Sequence, residues 1–260
     1  MLALRAWLQA TSGRAVRLIE THISWVLLTD TLAYKLKKPV RLPFLDFTTL
    51  AARRHFCEEE LRVNQRLAPS LYLDVVDVCD SPAGPIVGGG GRVLDVALRM
   101  RRFPDGALWS EMLAKGELAA HHVDAMATRL VGFHRAADVA PGDSSFGSAT
   151  VHERGTRRLI RAIDAWPAGL RSAADWPALR GWLERQLQEL APLWEARRRG
   201  GRVRECHGDL HLGNIALIDS RLTLFDGIDF NPALRWIDVS SDIAFLAMDA
   251  RHCAGAEMQD

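Results

Sequence analysis

The stretch His207-Gly208-Asp209-Leu210-His211-Leu212-Gly213-Asn214 decides the fold of this 260-residue chain, together with Asp226, which follows it by twelve residues. Between them lie two short apolar segments, 215–218 and 222–225, which predict a pair of strands that ends at Asp226. Asn214 and Asp226 offer amide and carboxylate oxygens, the donors that hard Mg²⁺ prefers. The pattern therefore predicts a polar loop, two strands and an oxygen-lined cation site.

The spacing H-x-D-x-x-x-x-N, with a downstream strand that ends in Asp, resembles the catalytic and metal loops of kinase-like phosphotransferases. Phosphoryl transfer requires a carboxylate that orients the acceptor hydroxyl and oxygen ligands that hold Mg²⁺ against the nucleotide phosphates. The resemblance implies that Asp209 is the catalytic base and that Asn214 and Asp226 bind the metal. It also implies that His207 is a hydrogen-bonding residue of the loop and that His211 braces it.

More of the chain supports this resemblance. HGDLHLGN, FDGIDF at 225–230 and DIA at 242–244 resemble the aminoglycoside phosphotransferase family, a branch of the protein-kinase-like fold. THISWVLLTDTLAYKLKKPVRLPFLDF and ALRWIDVSSDIAFLAMD are similar, more narrowly, to the kinase-like half of bifunctional aminoglycoside phosphotransferase/ATP-binding proteins. The resemblance implies a two-lobed α+β fold. We expect residues 1–99 to form an N-lobe of one antiparallel sheet and one main helix. Residues 100–106 should form a hinge, and residues 107–260 a mostly helical C-lobe.

Local patterns agree with that order of elements. Apolar residues at helical spacing predict an opening helix over 1–12 and helices over 116–138, 151–165 and 174–198. A charged segment with an apolar stripe predicts the main N-lobe helix over 47–67. Strands are predicted over 16–19, 23–28, 32–36, 75–78 and 93–100.

The lysine that would contact the nucleotide phosphates is expected on the third strand. Alternation places Lys35 and Lys37 on the same face, and the LAYK match at 32–35 favours Lys35, with Lys37 as the competitor. Its partner would come from Glu58-Glu59-Glu60, of which most must be solvated because a helix turns about 100° per residue. The resemblance favours Glu60 as the carboxylate that pairs with the lysine.

Two further contacts with the nucleotide are implied. No G-x-G-x-x-G covers the first hairpin, so the backbone and the hydroxyls of Thr21 and Ser24 would contact the phosphates, a hypothesis based on their position. Strand pattern gives way to helices at Met100-Arg101-Arg102, and in the family backbone groups of this linker bind adenine.

The metal ligand downstream of the strands has two candidates. Asp226 directly ends the strand and precedes a glycine, whereas Asp229 belongs to the I-D-F form seen in other family members. We favour Asp226, with Asp229 as a second metal ligand or a hydrogen-bonded support. Asp242 is expected to anchor the catalytic loop.

Several other readings are disfavoured. The Gly88–Gly91 run lacks the strand-turn-helix context and the Lys-Ser/Thr of a phosphate loop, so it predicts a hairpin turn. The basic run at 197–202 indicates helix capping, and a formal net charge of +1 indicates no bulk attraction to nucleic acid. Four separated cysteines and the lack of a long apolar run predict a reduced, cytoplasmic protein with no membrane partner.

The resemblance thus predicts an enzyme that uses ATP and Mg²⁺ to phosphorylate a hydroxyl group of a small-molecule acceptor. The sequence lacks the P-loop ATPase half of the bifunctional proteins, which implies a shortened C-lobe and a P-loop ATPase partner on another chain. One alternative is therefore a catalytically weak nucleotide-binding or regulatory module. A second alternative is a zinc-dependent hydrolase built on His207, Asp209 and His211.

Overall fold

A computed structural model describes residues 1–173 and 175–257, and within it the chain forms two compact units. The described residues of Met1–Val131, Asp209–Pro232 and 245–257 form the first unit, and those of Gly132–Gly208 and Ala233–Ala244 form the second. The predicted lobe boundaries at 99 and 106 stay a prediction. No helix in the described part of the chain is both long and apolar enough to cross a membrane.

The first unit is built on a six-stranded antiparallel sheet. In their order across the sheet, its strands are β1 (Arg17–Glu20), β2 (Ser24–Leu28), β3 (Leu32–Lys37), β8 (Val93–Arg101), β6 (Tyr72–Cys79) and β7 (Ile86–Val87). An added hairpin of β4 (Arg41–Leu42) and β5 (Leu45–Asp46), which the sequence did not predict, follows β3. The run Gly88–Gly91 lies between β7 and β8, which both pair with β6 and not with each other, so the prediction of a plain hairpin turn was wrong: the run belongs to the longer connection between β6 and β8.

The sheet separates an apolar face from a polar one by strand alternation. Helix α1 (Leu2–Ser12), which confirms the predicted opening helix, packs Leu4 and Leu8 against Leu27 and Leu36. The opposite face of β3 carries the lysines of LAYKLK, with Ser24 opposite Lys37 in the register between β2 and β3. Because cross-strand partners share a face, these side chains meet on the side away from α1.

Helix α2 (Leu50–Gln65) is the main helix of the N-terminal half and packs on β6 and β8. The predicted start at residue 47 was too early. Phe47 is buried, and the Thr49 side chain caps the helix by accepting a hydrogen bond from the Ala52 N–H. The buried residues Arg53, Cys57, Glu60 and Asn64 recur at helical spacing, and this repeat aims one carboxylate of the Glu58–Glu60 run inward.

Most of the remaining chain is helical, which together with the antiparallel sheet confirms the α+β class. Its helices are α3 (Trp109–Ala114), α4 (Ala120–Ala136), α5 (Ala149–Asp164), α6 (Ala168–Ala173), α7 (Trp176–Arg199), α8 (Pro232–Arg235) and α9 (Val239–Glu257). The helix predicted over 116–138 begins later than expected, and the predicted first residue of the 174–198 helix lies outside the described residues. The short α3 and α6 were not predicted.

The strands after residue 202 form two short antiparallel pairs. β9 (Val203–Glu205) pairs with β12 (Trp236–Asp238), and β10 (Ile215–Ile218) pairs with β11 (Arg221–Leu224). The second pair confirms the two strands predicted between Asn214 and Asp226. A single 3-10 turn, Leu212–Asn214, connects the polar loop to β10.

Candidate active site

A cleft of about 970 Å³ opens in the first unit, beside the polar face of the sheet. This volume suits a nucleotide-sized ligand. Most of the residues predicted for the site line it, namely Thr21, Ser24, Lys35, Met100, Arg101, Arg102, Asp209, Asn214, Asp226 and Asp229. Glu60, His207 and His211 do not line it, and each instead supports a residue or a loop, as described below.

Asp209 and Asn214 form the polar corner of the cleft. The Asn214 amide Nδ2 donates to the Asp209 carbonyl at 2.9 Å and lies 3.5 Å from Asp209 Oδ2. The Asn214 carbonyl accepts from the Phe225 N–H at 3.0 Å, which ties the loop to the end of β11. Asn214 is buried, whereas the Asp209 side chain is 44% exposed. Asp209 is therefore the accessible carboxylate of the loop.

His211 braces this loop from within. Its Nδ1 accepts from the Gly213 N–H at 3.1 Å, which caps the 3-10 turn, and its Nε2 lies 3.8 Å from Asp209 Oδ2. The Leu212 N–H donates to Asp249 Oδ2 at 2.8 Å, a second anchor for the same turn. These contacts hold the turn between Asp209 and Asn214 in one conformation.

His207 and Asp242 form a separate buried arrangement within the second unit. One Asp242 oxygen accepts from the His207 N–H at 2.9 Å and contacts His134 Nε2 at 3.1 Å, and the other accepts from the Gly208 N–H at 2.9 Å. Burial opposes ionisation of Asp242, but these hydrogen bonds outweigh it and lower the pKa of the carboxyl. Gly208 has φ +86°, and a Cβ there would lie 2.5 Å from the Leu234 carbonyl oxygen, so only glycine fits.

Lys35 connects two carboxylates in the first unit. Its Nζ lies 2.7 Å from Glu60 Oε1 and 2.5 Å from Asp226 Oδ1. Burial would lower the pKa of Lys35, but the charges of Asp226 and Glu60 outweigh it and raise the pKa well above its ordinary value. Lys35 therefore stays protonated and neutralises the Asp226 carboxylate.

The competitor Lys37 occupies a deeper position in the same network. Its Nζ lies 2.8 Å from Glu60 Oε2 and 2.5 Å from Asp229 Oδ2. Burial would lower the pKa of Lys37, yet the net direction is upward because Glu60 and Asp229 are so close. For Asp229, burial raises the pKa by more than Lys37 lowers it.

Glu60 is the carboxylate of the triplet that faces inward. It is fully buried, while Glu58 is exposed and Glu59 pairs with Arg62 at 2.8 Å on the outer face of α2. Burial raises the pKa of Glu60, but Lys35 and Lys37 outweigh that effect and lower it to about 2. Glu60 is thus an ionised buried carboxylate with one lysine on each oxygen.

The backbone of Asp226 adopts the left-handed conformation, with φ +60°. This region is disfavoured for residues with a Cβ, although aspartate tolerates it better than most. The Asp226 N–H donates to the buried Tyr72 hydroxyl at 3.0 Å. The next residue, Gly227, donates its N–H to Asn64 Oδ1 at 2.8 Å. These two contacts hold Asp226 at the cleft, where its side chain is 45% exposed.

Thr21 and Ser24 form the turn between β1 and β2, and their hydroxyls are used differently. Thr21 Oγ1 accepts from the Ser24 N–H at 3.0 Å and lies 3.2 Å from the Ser24 carbonyl oxygen, so it closes the turn. Ser24 Oγ is buried and has no hydrogen-bond partner among the described residues. Lys38 supports the turn by pairing with Glu20 at 2.6 Å. Ser24 thus has the spare hydrogen-bonding capacity that Thr21 lacks.

The predicted hinge residues border the cleft at the end of β8. The Arg101 N–H donates to the Leu71 carbonyl and the Arg102 N–H to the Thr31 carbonyl, both at 2.8 Å. These two donors are engaged within the fold. Met100 and Phe103 pack against the same core cluster, and Phe103 also packs on Phe225 with ring centroids 5.4 Å apart. The segment therefore presents an apolar wall to the cleft.

Sequence reasoning did not find the supports of Asp226. Asn64 donates to the Glu60 carbonyl at 2.9 Å and accepts from the Gly227 N–H, and so links α2 to Gly227. Its spacing of four residues from Glu60 places both on one helix face, which could have indicated a shared role. Tyr72 carries no such signal, because its contact with Asp226 joins residues 154 positions apart.

The zinc alternative finds no support in the geometry. Among the described residues, the group of His, Cys, Asp and Glu whose ligand atoms lie close enough for one ion is His134, Cys206 and Asp242, within 4.8 Å of one another. Asp209 and His211 are not members of it. Both oxygens of Asp242 are already used by His134 and the loop N–H groups.

Comparison with known proteins places the chain in a family. The sequence model of APH, described as the phosphotransferase enzyme family, matches residues 13–259. Two uncharacterized proteins of Mycobacterium tuberculosis and one of Mycobacterium bovis are each 30% identical over 249 residues, which cover 93% of this chain and 47% of each relative. The chain thus spans about half the length of the curated relatives it matches.

Two solved structures are also similar. A choline/ethanolamine kinase family protein from Mesorhizobium loti gives a TM-score of 0.48 at 13% identity, covering 95% of this chain and 69% of that one. A glucosamine kinase gives 0.39 at 17% identity, covering 95% and 64%. The match of the family model over nearly the whole chain confirms the resemblance found in the sequence: the chain belongs to the APH phosphotransferase enzyme family.

Proposed function

We propose that the cleft binds ATP with Mg²⁺ and transfers the γ-phosphoryl group to a hydroxyl of a small-molecule acceptor. One observation carries the proposal. The same cleft holds an accessible carboxylate at Asp209, an amide at Asn214, a second carboxylate at Asp226 and the ammonium group of Lys35, which pairs with the buried Glu60. Together these are the groups that phosphoryl transfer requires.

The donor set fits Mg²⁺. Asp226 presents a half-exposed carboxylate. The side-chain amide of Asn214 donates through Nδ2 to Asp209, so the side-chain oxygen of Asn214 would be its ligand atom. Each aspartate has a lysine on one oxygen, but Asp229 is the weaker candidate because its side chain is 9% exposed, compared with 45% for Asp226. A cation held by Asn214 and Asp226 would neutralise charge on the nucleotide phosphates.

Other groups of the cleft fit the rest of the nucleotide. With a cation on Asp226, Lys35 would be available to the phosphates, and the Ser24 hydroxyl, which has no partner among the described residues, would supply a donor on the adjacent strand. The apolar wall at Met100 and Phe103 suits the base. Asp209 would accept the proton of the acceptor hydroxyl. At the same time the hydroxyl oxygen of the acceptor would bond to the γ-phosphorus, and the bond between the γ-phosphorus and the oxygen that bridges it to the β-phosphate would break, which releases ADP.

The test is coupled ADP release by purified protein in Mg²⁺ with a panel of aminoglycosides, amino alcohols and sugars. We expect turnover that depends on one class of acceptor. ATP binding without acceptor-dependent turnover would instead favour the nucleotide-binding or regulatory module.

The four free cysteines, three of them buried, support the further proposal of a reducing, cytoplasmic setting.

The two aspartates after β11 are expected to respond differently to substitution. Asp226→Asn should raise the Mg²⁺ concentration for half-maximal activity by about tenfold or more, because it removes a ligand charge. Asp229→Asn should shift this concentration less and lower stability more, since Lys37 would lose a buried partner. Mg²⁺ titrations and urea unfolding of both variants check this. A larger Mg²⁺ shift for Asp229→Asn would reverse the assignment.

Ser24→Ala is expected to raise the nucleotide KM by about three- to tenfold, the effect of one lost hydrogen bond of about 1 kcal/mol. Thr21→Ala should loosen the turn and raise the KM less. Thr29→Ala is the matched control, because Thr29 closes the turn between β2 and β3 through the same two contacts, with the Leu32 N–H and carbonyl. An unchanged KM in both Ser24→Ala and Thr21→Ala would remove this turn from the phosphate site.

A further inference from the structure

The network in the cleft contains a second lysine that the family resemblance does not require. Lys37 lies on one oxygen of Glu60 and on Asp229, at 2.8 Å and 2.5 Å, and its side chain is only 2% exposed. Phe47, itself fully buried, packs near the ammonium group, with its ring centroid 5.0 Å from Nζ. Lys37 borders the cleft, but its charge is closed off from it.

Lys35 has a more open environment. Its side chain is 15% exposed, and its partner Asp226 is 45% exposed, compared with 9% for Asp229. A phosphate that enters the cleft can replace Asp226 at Lys35 while Glu60 stays in place. The same exchange at Lys37 would break an ion pair with the buried Glu60 or with Asp229, which is costly. Lys35 can therefore exchange its carboxylate partner for a phosphate, whereas Lys37 keeps both of its partners.

The arrangement is a chain of five groups in the order Asp226, Lys35, Glu60, Lys37 and Asp229. Each oxygen of Glu60 takes one lysine, so the two ammonium groups together fix the rotation of the carboxylate. Lys37 also ties α2 to the segment after β11 through Asp229. Removing Lys37 would free one Glu60 oxygen and break the ion pair with Asp229, but it would take from the cleft border only a side chain that is 2% exposed.

We propose that Lys37 is a positioning residue, which orients Glu60 and holds Asp229, while Lys35 alone contacts the nucleotide phosphates. The inference rests on the proposed function and deepens it. The two lysines lie on the same face of β3, two residues apart, and share a partner, yet they have separate tasks.

The kinetic test compares Lys35→Met with Lys37→Met. Lys35→Met should raise the nucleotide Kd and KM by about tenfold or more, because it removes a direct contact. Lys37→Met should leave both within about threefold and lower kcat by about tenfold or more, because Lys35 and the metal ligands lose their fixed geometry. Lys115→Met, a lysine outside the network, should change neither value. All assays are made below the unfolding temperature of each variant.

A second measurement uses unfolding and does not depend on turnover. Lys37→Met, Asp229→Asn and the double variant form a cycle in urea. We expect each single variant to raise the unfolding equilibrium constant about a hundredfold, and the double variant to raise it much less than the product of the two. The double variant also replaces Lys37→Met in the binding assays if the single variant does not fold.

The results separate the possible failures. A nucleotide Kd that rises as much in Lys37→Met as in Lys35→Met would overturn the division of tasks, and so would a lower stability with unchanged kcat. Additive effects in the cycle would overturn the ion-pair role. A wild-type protein that binds no nucleotide would contradict the proposed function, whereas the coupling of Lys37 with Asp229 would still be measurable.

Discussion

Asp209→Asn is expected to lower acceptor-dependent turnover by about a thousandfold or more, because a positioned general base contributes about 10²- to 10⁴-fold. Asparagine keeps the shape of the side chain and its place beside Asn214, but it cannot take up the proton of the acceptor hydroxyl. The loop should stay folded, since the Asn214 amide donates to the backbone carbonyl of residue 209 at 2.9 Å. Steady-state ADP release measures the change in kcat.

Nucleotide affinity should change little in this variant, because Asp209 is not among the groups proposed to hold the nucleotide. Asp124→Asn is the control, an exposed aspartate on α4 that does not line the cleft. It should leave turnover and affinity unchanged. Turnover in Asp209→Asn within tenfold of the wild type would exclude Asp209 as the base.

Glu60→Gln is expected to lower the free energy of unfolding by about 3–5 kcal/mol, the usual cost of breaking a buried ion pair. Glutamine keeps the volume of the side chain but leaves Lys35 and Lys37 without their shared negative charge. Urea unfolding measures the change. Glu58→Gln, two residues earlier on the exposed face of α2, is the matched control and should alter stability by less than about 0.5 kcal/mol. Equal effects in the two variants would refute the network.

We also expect the stability of Glu60→Gln to depend on pH differently from that of the wild type. The pKa of Glu60 falls from its ordinary value of 4.5 to about 2 in the folded protein, so folding favours the ionised form. Its contribution is fully present above about pH 4.5 and is lost as the pH falls towards 2, an effect of about 3 kcal/mol. Stability measured between pH 2 and pH 6 should therefore depend less steeply on pH in Glu60→Gln than in the wild type.

The lysines act in the opposite direction. Their pKa values are raised in the folded protein, so their contribution is present below their ordinary value of 10.5 and is lost as the pH rises through the folded values. Between these limits Glu60 and the two lysines should contribute a stability that changes little with pH.

Much of this site could be predicted from local sequence. Alternation along β3 placed Lys35 and Lys37 on one face, and the structure shows both on Glu60. The helical period left one glutamate of the triplet facing inward, and Glu60 is the buried one. The sequence also indicates that Asp209 and Asn214 lie close together, because both belong to one short loop. Each of these features depends on residues close in the chain.

The parts that were missed depend on distant residues. The left-handed backbone of Asp226 is held by Tyr72, and Gly227 by Asn64, which are 154 and 163 positions away in the chain. The different burial of the two lysines also follows from packing, since Phe47 lies over Lys37 and only Lys35 reaches the half-exposed Asp226. Periodicity reports which face a side chain occupies, but not what covers it.

Transfer of the label from γ-³²P-ATP to an acceptor tests the central claim most directly, with wild type and Asp209→Asn measured side by side in Mg²⁺. Our account predicts label on the acceptor with the wild type and about a thousandfold slower labelling with the variant. Equal labelling by the two proteins, or label that appears only as inorganic phosphate with every acceptor class, would contradict it.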